Sequence, residues 1–240
     1  MSVLEKVVQV IDVLGRASGP MRLGVLAEEI SAPKSSAHRL VVELTRLGLV
    51  RRVGEGQYTL GYRLVQWGHL ADRSIGLRAI AEPVMMELRD LVRESVHLYV
   101  RENDSRMCVL SAEGPHTLRP VALIGRPMPL GYGAAGKVLL AYADEATQRR
   151  VADDLPRHRD RDLPTAATLA EIRAAGWSVS VDEMEDGLTA LAAPISAVGG
   201  AIQGAVSIAG ATTRLGPNRY AELSERLIDA CRRIGARTGA

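Results

Sequence analysis

Leu4, Val7, Val8, Ile11 and Leu14 recur at three- and four-residue intervals behind Ser2 and Glu5. That spacing, opened by an S-x-x-E capping box, predicts a first helix ending near Ala17, before Gly19-Pro20. A second short helix, about Leu23 to Ile30, would bury Leu23, Leu26, Ala27 and Ile30. Ser31-Ala32 reads as a turn, and Pro33 suits the first position of a third helix that reaches Leu47 and stops at Gly48. Ala37, Leu40, Val41, Leu44 and Leu47 form its inward stripe. Ser35, Arg39, Val42 and Arg46 lie opposite, with Lys34 and His38 beside them near the start. Leu49 to Val53 and Gln57 to Leu60 then read as strands around Gly54-Glu55-Gly56, a hairpin signal.

From Gly61 to about Arg73 the pattern is helical again, with Leu64, Trp67, Gly68 and Ala71 on one side, until Ser74-Ile75-Gly76 breaks it. The next helix, Leu77 to Val92, contains Pro83, which implies a kink or a late start. Ser95 to Arg101 and Met107 to Ala112 read as strands about the turn Asn103-Asp104, and Leu118 to Ile124 as a third. Helices follow at Ala134 to Tyr142, Asp144 to Asp153 and Thr168 to Ala175, with a polar loop at Arg157 to Asp162. Strands at Trp177 to Val181, Leu188 to Pro194 and Ala201 to Ala209 precede a last amphipathic helix, Asn218 to Ala236. Such a mixture predicts an α+β protein built on an antiparallel sheet flanked by helices.

Composition narrows the picture. The chain's 240 residues accommodate two ordinary domains, and 47% apolar residues can fill their cores. Phe is absent, so those cores rest on Leu, Val, Ile, Ala and Met. Cys108 and Cys231 belong to no CxxC pattern and read as buried free thiols of a reducing compartment. The start does not read as a signal peptide, and no uncharged apolar run approaches the ~20 residues of a membrane helix, so a cytoplasmic protein without a membrane partner is expected.

A net charge of +2 says little about partners, but its distribution does. Between Lys34 and Arg52 lie five basic residues against one acid, Glu43, a local balance of +4. Lys34, Ser35, Ser36 and His38 cluster in the first turns of the third helix, the part that meets base edges in helix-turn-helix geometry. Arg39, one turn on, reaches a guanine edge or the backbone, and Arg51 and Arg52 on the hairpin would hold phosphates. A three-helix subdomain with a solvated basic face would share parts of this pattern. The Pro-initiated, Gly-terminated helix followed at once by a basic hairpin favours DNA binding.

The segments LAEEISAPKSSAHRLVVELTRLGLVRR and GQYTLGYRLVQWG in the first half, and GRPMPLGYGAAGKVLLA, GWSVSVDEMEDGLTALAAPI and GAVSIAG in the second, resemble the IclR family of bacterial transcription regulators in order along nearly the whole chain. The resemblance implies a winged helix-turn-helix domain over 1–60, a linker helix over 61–76 and a GAF/PAS-like effector domain over 77–240. It implies a homodimer, in some members a dimer of dimers, that binds double-stranded operator DNA and answers to a small-molecule effector. By the same resemblance Gly133, Ala134, Ala135, Ser180, Ala190, Ser207 and Ala209 would contact that effector. Family members commonly carry His at the position of Gly131, Ser or Thr at Gly133, Asp at Ser180, Cys at Ala190 and Ser at Ala209. Each difference removes a polar or bulky group, so a larger, more apolar pocket for a bulkier, aromatic organic acid is expected. The alternative is a ligand-independent DNA-binding protein whose C-terminal domain serves only oligomerisation.

Other chemistry finds less support. GYGAAGKV at Gly131 to Val138 meets seven positions of a phosphate-binding loop, but Val138 stands where a metal-binding hydroxyl belongs and no clear strand precedes it. The small residues leading into that helix would instead leave backbone N–H groups for an anion or serve tight packing. His97 with Cys108 or His116 does not make a zinc pattern, and a hydrogen-bonded or exposed imidazole is expected there. Asp182, Glu183, Glu185 and Asp186 read as a solvated acidic loop rather than paired catalytic carboxylates. No enzyme activity, cofactor or metal is expected.

Overall fold

The computed structural model describes residues 2–154 and 162–238, so the polar loop expected at Arg157 to Asp162 lies, except for Asp162, outside the described residues. The chain divides into two compact units, Met1–Ile75 and Gly76–Ala240.

In the first unit, helix α1 (Val3–Arg16) opens with both halves of the capping box: Glu5 N–H donates to Ser2 Oγ at 3.2 Å, and Ser2 N–H to Glu5 Oε2 at 2.7 Å. Helices α2 (Leu23–Glu29) and α3 (Lys34–Arg46) follow, joined by a turn in which Ala32 N–H donates to the Ala27 carbonyl at 2.9 Å. Pro33 stands one place before α3, as its N-cap, rather than inside its first turn. The helix ends at Gly48, whose φ of 74° is open to a residue without Cβ. Val10, Leu26, Ile30, Ala37, Val41 and Leu44 meet in one core with Val50 and Tyr58 of the hairpin. Burial of each large aliphatic among them contributes roughly 1.5–3 kcal/mol.

The hairpin strands β2 (Val50–Val53) and β3 (Gln57–Leu60) gain a third member that periodicity did not announce: β1 (Met21–Arg22) pairs along β3, giving the order β1-β3-β2. Two residues are too few to carry an alternation. Helix α4 (Tyr62–Ile75) runs two residues past its expected end, to Gly76.

The second unit begins with helix α5 (Leu77–Val92), continuous through Pro83. Pro83 and Ala79, whose carbonyl loses its usual partner, both lie on the exposed side, where solvent reaches that carbonyl. Strands β4 (Ser95–Glu102), β5 (Ser105–Ala112) and β6 (Pro127–Pro129) precede helices α6 (Gly133–Ala141), α7 (Glu145–Asp154) and α8 (Ala166–Ala175). Strands β7 (Ser178–Val181), β8 (Leu188–Ser196) and β9 (Ile202–Ala211) and helix α9 (Tyr220–Gly235) complete it. The sheet is antiparallel throughout, in the order β6-β5-β4-β9-β8-β7.

Leu118 to Ile124 is not a strand, because the outer edge of β5 is taken by β6. Pro127 and Pro129 are tolerated in β6 since it is an edge strand and need not donate on both sides. The sheet has helices on both faces. Val96, Leu98, Leu110, Leu191, Val206 and Ile208 pack with Met85 and Leu88 of α5 and Leu223 and Leu227 of α9. Tyr99, Cys108, Ala192 and Ala205 pack with Ala134, Val138 and Leu139 of α6 and Leu169 and Ile172 of α8. Both cysteines are free and buried, the Cys108 thiol pushed up to about 11 and that of Cys231 to about 12 by desolvation.

Candidate functional sites: a basic helix face and a sheet-lined cavity

Helical phase decides which side chains of α3 are available. Ala37, Val41 and Leu44 face the core, which leaves Lys34, Ser35, Ser36, His38 and Arg39 exposed together. Pro33 supplies no side-chain cap, so the first-turn N–H groups beside Lys34 and the two serines have no side-chain acceptor at the cap. Arg46 is spoken for: it forks onto Glu43 one turn back and holds that carboxyl below its usual range through the hydrogen bond. Among the described residues, Lys34, Arg39, Arg51 and Arg52 make no ion pair.

Register separates the two hairpin arginines. Arg52 stands opposite Tyr58, on the face that carries buried Val50, and extends from its exposed end. Arg51 stands opposite Thr59 on the outer face, with Arg22, opposite Gln57, joining it from β1. The guanidinium of Arg51 lies 5.0 Å from the Tyr62 ring centroid. Arg22 is an addition to the basic set, placed there by a pairing too short to read from sequence.

The second unit's cavity is built by strand register. Residues directly opposite one another share a face, so Ser95, Ala209, Ala190 and Ser180 form one row across β4, β9, β8 and β7. His97, Ser207 and Ala192 form the next row, and Tyr99 follows two places along β4. Four small residues in these rows, Ser180, Ala190, Ser207 and Ala209, leave space between sheet and α6. The space is a cavity of about 410 Å³, inside the range of about 300–1,000 Å³ usual for ligand pockets. All seven residues named from the sequence line it: Gly133, Ala134 and Ala135 from α6 and those four from the sheet. Pro120, Val121, Ala122 and Leu123, from the segment that is not a strand, form another wall.

Its polar contents differ from expectation. Arg106, only 4% exposed, lines the cavity, and its Nε has no hydrogen-bond partner. Its guanidinium lies 5.0 Å from the centroid of the Tyr99 ring. His97, 2% exposed, also lines it, with Nε2 unpartnered, so it is neither exposed nor satisfied at that atom. Burial holds the imidazole down to about 4, against a raising influence from Glu113, and it is therefore neutral at ordinary pH.

Buried charge elsewhere in this unit is paired. Glu94, 2% exposed, receives Arg214 at 2.6 and 2.8 Å. Arg106 has no such carboxylate among the described residues.

The α6 N-terminus is partly occupied. Glu183 accepts from Gly133 N–H at 3.0 Å and from Lys137 Nζ at 2.5 Å, while Lys137 also donates to the Val179 carbonyl at 2.6 Å. Glu183 thus leaves the acidic loop that was expected to be solvated and caps the helix. Lys137, the lysine of the phosphate-loop look-alike, is consumed by it, although a three-residue strand, β6, does precede the motif.

Gly133 has φ +66°, and a Cβ there would come 3.1 Å from Arg106 Nη2 and 3.0 Å from Met184 Cγ. Glycine is thus what allows a guanidinium to lie against the first turn of α6.

Arg106 was missed for a physical reason. Alternation along β5 puts Arg106, Cys108 and Leu110 in one phase, but a bulge shifts the pairing from Leu98↔Leu110 to Tyr99↔Cys108. Leu110 consequently joins the α5/α9 core, while Arg106 and Cys108 turn to the cavity face. An arginine in the inward phase of an apolar strand was the only available signal.

A larger groove of about 660 Å³ borders Glu87, Leu91, Glu222, Arg226 and Arg233. Both arginines that line it are paired, Arg233 with Glu87 and Arg226 with Glu222, so it offers no unpaired cation to an anionic ligand. Among the described residues no cluster of His, Cys, Asp or Glu is placed to hold a metal ion, and no helix is long and apolar enough to cross a membrane.

Comparison with known proteins covers both units. Residues 69–236 match the bacterial transcriptional regulator IclR C-terminal family, and residues 3–54 match the IclR helix-turn-helix domain. The chain is 30% identical to the HTH-type transcriptional regulator KipR of Bacillus subtilis, over 91% of this chain and 90% of that protein. It is 28% identical to the HTH-type transcriptional regulator KdgR of Escherichia coli, over 98% and 93%. The solved IclR of Thermotoga maritima superposes with a TM-score of 0.82 at 24% identity, covering 99% of this chain and 98% of that one. An IclR homolog from Microbacterium hydrocarbonoxydans, solved as a complex with 4-hydroxybenzoate, gives a TM-score of 0.82 at 25% identity, covering 98% of each chain.

Proposed function

The chain belongs to the IclR family of bacterial transcriptional regulators, and from that premise we propose that it binds operator DNA as a homo-oligomer and adjusts that binding to a small aromatic acid. In this reading residues 1–60 form the DNA-binding domain, 61–76 a linker helix and 77–240 the effector domain. Lys34, Ser35, Ser36 and His38 approach base edges from the tip of α3, and Arg39 reaches a guanine edge or the backbone beside it. Arg51 and Arg52 hold phosphates without reading sequence. Gly133, Ala134, Ala135, Ser180, Ala190, Ser207 and Ala209 surround the effector.

The observation that carries the effector half is the cavity itself, which gathers all seven of those residues with a buried, unpaired guanidinium. The 4-hydroxybenzoate held by the Microbacterium homolog supports an acid of aromatic size. Self-association is supported by apolar side chains left exposed in the first unit: Val3, Leu4 and Val8 on α1, and Tyr62, Val65, Trp67 and Leu70 on α4. Effector occupancy changes operator affinity by as much as the acid prefers one state of the protein over the other, and no more.

A thermal-shift screen of aromatic and short-chain acids on the full chain, followed by gel shift with and without the stabilising acid, tests this reading. A bound acid raises the midpoint roughly with the logarithm of its concentration over its dissociation constant. If no acid stabilises the protein while operator binding persists, the second unit serves assembly alone.

A further inference from the structure

Resting on that reading of the cavity, we propose that Arg106 selects the effector by charge: it pairs with one carboxylate, and the ligand is a monocarboxylate with an apolar body. A guanidinium stays protonated at any ordinary pH, so the cavity holds a permanent positive charge away from water. That charge faces Tyr99 and Gly133; Glu183 attracts it through space but makes no ion pair with it and is itself bonded to Lys137. An unpaired buried charge is expensive, and a carboxylate is the planar, two-oxygen partner that matches its fork.

The helix end adds N–H donors but no second full charge. Its Gly133 N–H already donates to Glu183, whose other oxygen accepts from Lys137, so the end brings no unpaired charge of its own. Around the cavity mouth, Arg126 and Glu185 are both exposed and opposite in sign. What remains is one positive charge, enough for one carboxylate. A second carboxylate would be desolvated without a partner, and a neutral amide would offer Arg106 one carbonyl acceptor but no opposite charge.

His97 refines the choice. Its neutral ring stands on the same face, 6.2 Å from Tyr99 centroid to centroid, with Nε2 free to make one hydrogen bond. Tyr99 therefore lies beside both polar groups, and the small residues Ala190, Ser207 and Ala209 offer the body of the ligand apolar surface. The position takes a hydroxyl or carbonyl on the ligand, not a second charge.

The test is calorimetric titration of the full chain with benzoate, phenylacetate and cinnamate, each beside its carboxamide, and with terephthalate as the dianion. At least one acid is expected to bind about 30-fold more tightly than its amide, and terephthalate as weakly as the amides. Arg106→Met is expected to lose about 30-fold for that acid and to hold the amide within about threefold, since only the acid uses the charge. Equal binding of acid and amide by the wild-type protein overturns the assignment of Arg106 while leaving a ligand cavity in place, as does unchanged acid affinity in Arg106→Met. Binding of none of the seven compounds removes the cavity reading together with this one. Should Arg106→Met fail to fold, the wild-type comparison of acid with amide still decides.

Discussion

The basic face of α3 and the cavity beneath α6 both present positive charge that makes no ion pair among the described residues, but water treats them differently. Lys34, Arg39, Arg51 and Arg52 are exposed, so each is solvated before and after an anion arrives. The attraction of such exposed cations for an anion is long-ranged and weakened by salt. Arg106 is 4% exposed and has already lost its water. Its attraction is confined to whatever enters about 410 Å³, and the energetic contrast between a matching and a mismatching ligand is correspondingly sharp. Exposed cations give reach and affinity, whereas a buried one gives selectivity.

The largest expected effect separates the units by pH. His97 has an ordinary value of 6.5 and is held at about 4 in the folded protein. The unfolded chain therefore binds a proton that the folded one refuses between those values. Its stabilising contribution is complete above pH 6.5 and declines as pH falls toward 4, by on the order of 3 kcal/mol. Urea melts at neutral and acid pH, read through Trp177 in a Trp67→Phe background, should show that loss, and His97→Gln should abolish most of it. Equal acid lability in the His97 variant would place the titrating group elsewhere.

Next comes Arg39→Ala, expected to weaken specific operator binding by about 1–3 kcal/mol and to relax preference at one base position if the side chain reaches a guanine. Fluorescence anisotropy on matched and mismatched operators distinguishes that from a backbone contact. Arg52→Ala should lower affinity by a similar factor on every sequence and flatten the log–log salt dependence by roughly one. An unchanged slope would mean that Arg52, on the face shared with Tyr58, does not reach phosphate.

The smallest change, expected in the cavity, tests the comparison directly. Between about 50 and 200 mM salt, operator affinity should fall by orders of magnitude, while acid binding in the cavity changes no more than about threefold. Parallel losses would mean that Arg106 is solvated when the ligand binds.

Legibility followed the range of the interactions. The α1 capping box, the α3 stripe of Ala37, Val41 and Leu44, and the long strands around Asn103-Asp104 were readable because three or four neighbouring residues determine each. Where a segment's fate depended on a distant edge, reading failed. Leu118 to Ile124 has strand-like composition but no free edge to join, and Pro127–Pro129 forms a strand only because β5 offers it one. Met21–Arg22 is the same case in the first unit. Glu183 looked solvated because nothing local reveals that Lys137, 46 residues earlier, ends beside it.

The site divides along the same line. The order of residues by itself determined which side chains α3 exposes, since helical phase is a property of consecutive positions. Through family likeness, it also named the seven small residues around the cavity. Only the folded sheet decided what that cavity holds. One extra residue on β5, Val109, opposite the step from Leu98 to Tyr99, turns Arg106 from the α5/α9 face to the α6 face, and a glycine with positive φ across from it makes the room. A strand's alternation specifies two sides, but pairing with a neighbour decides which side each residue takes.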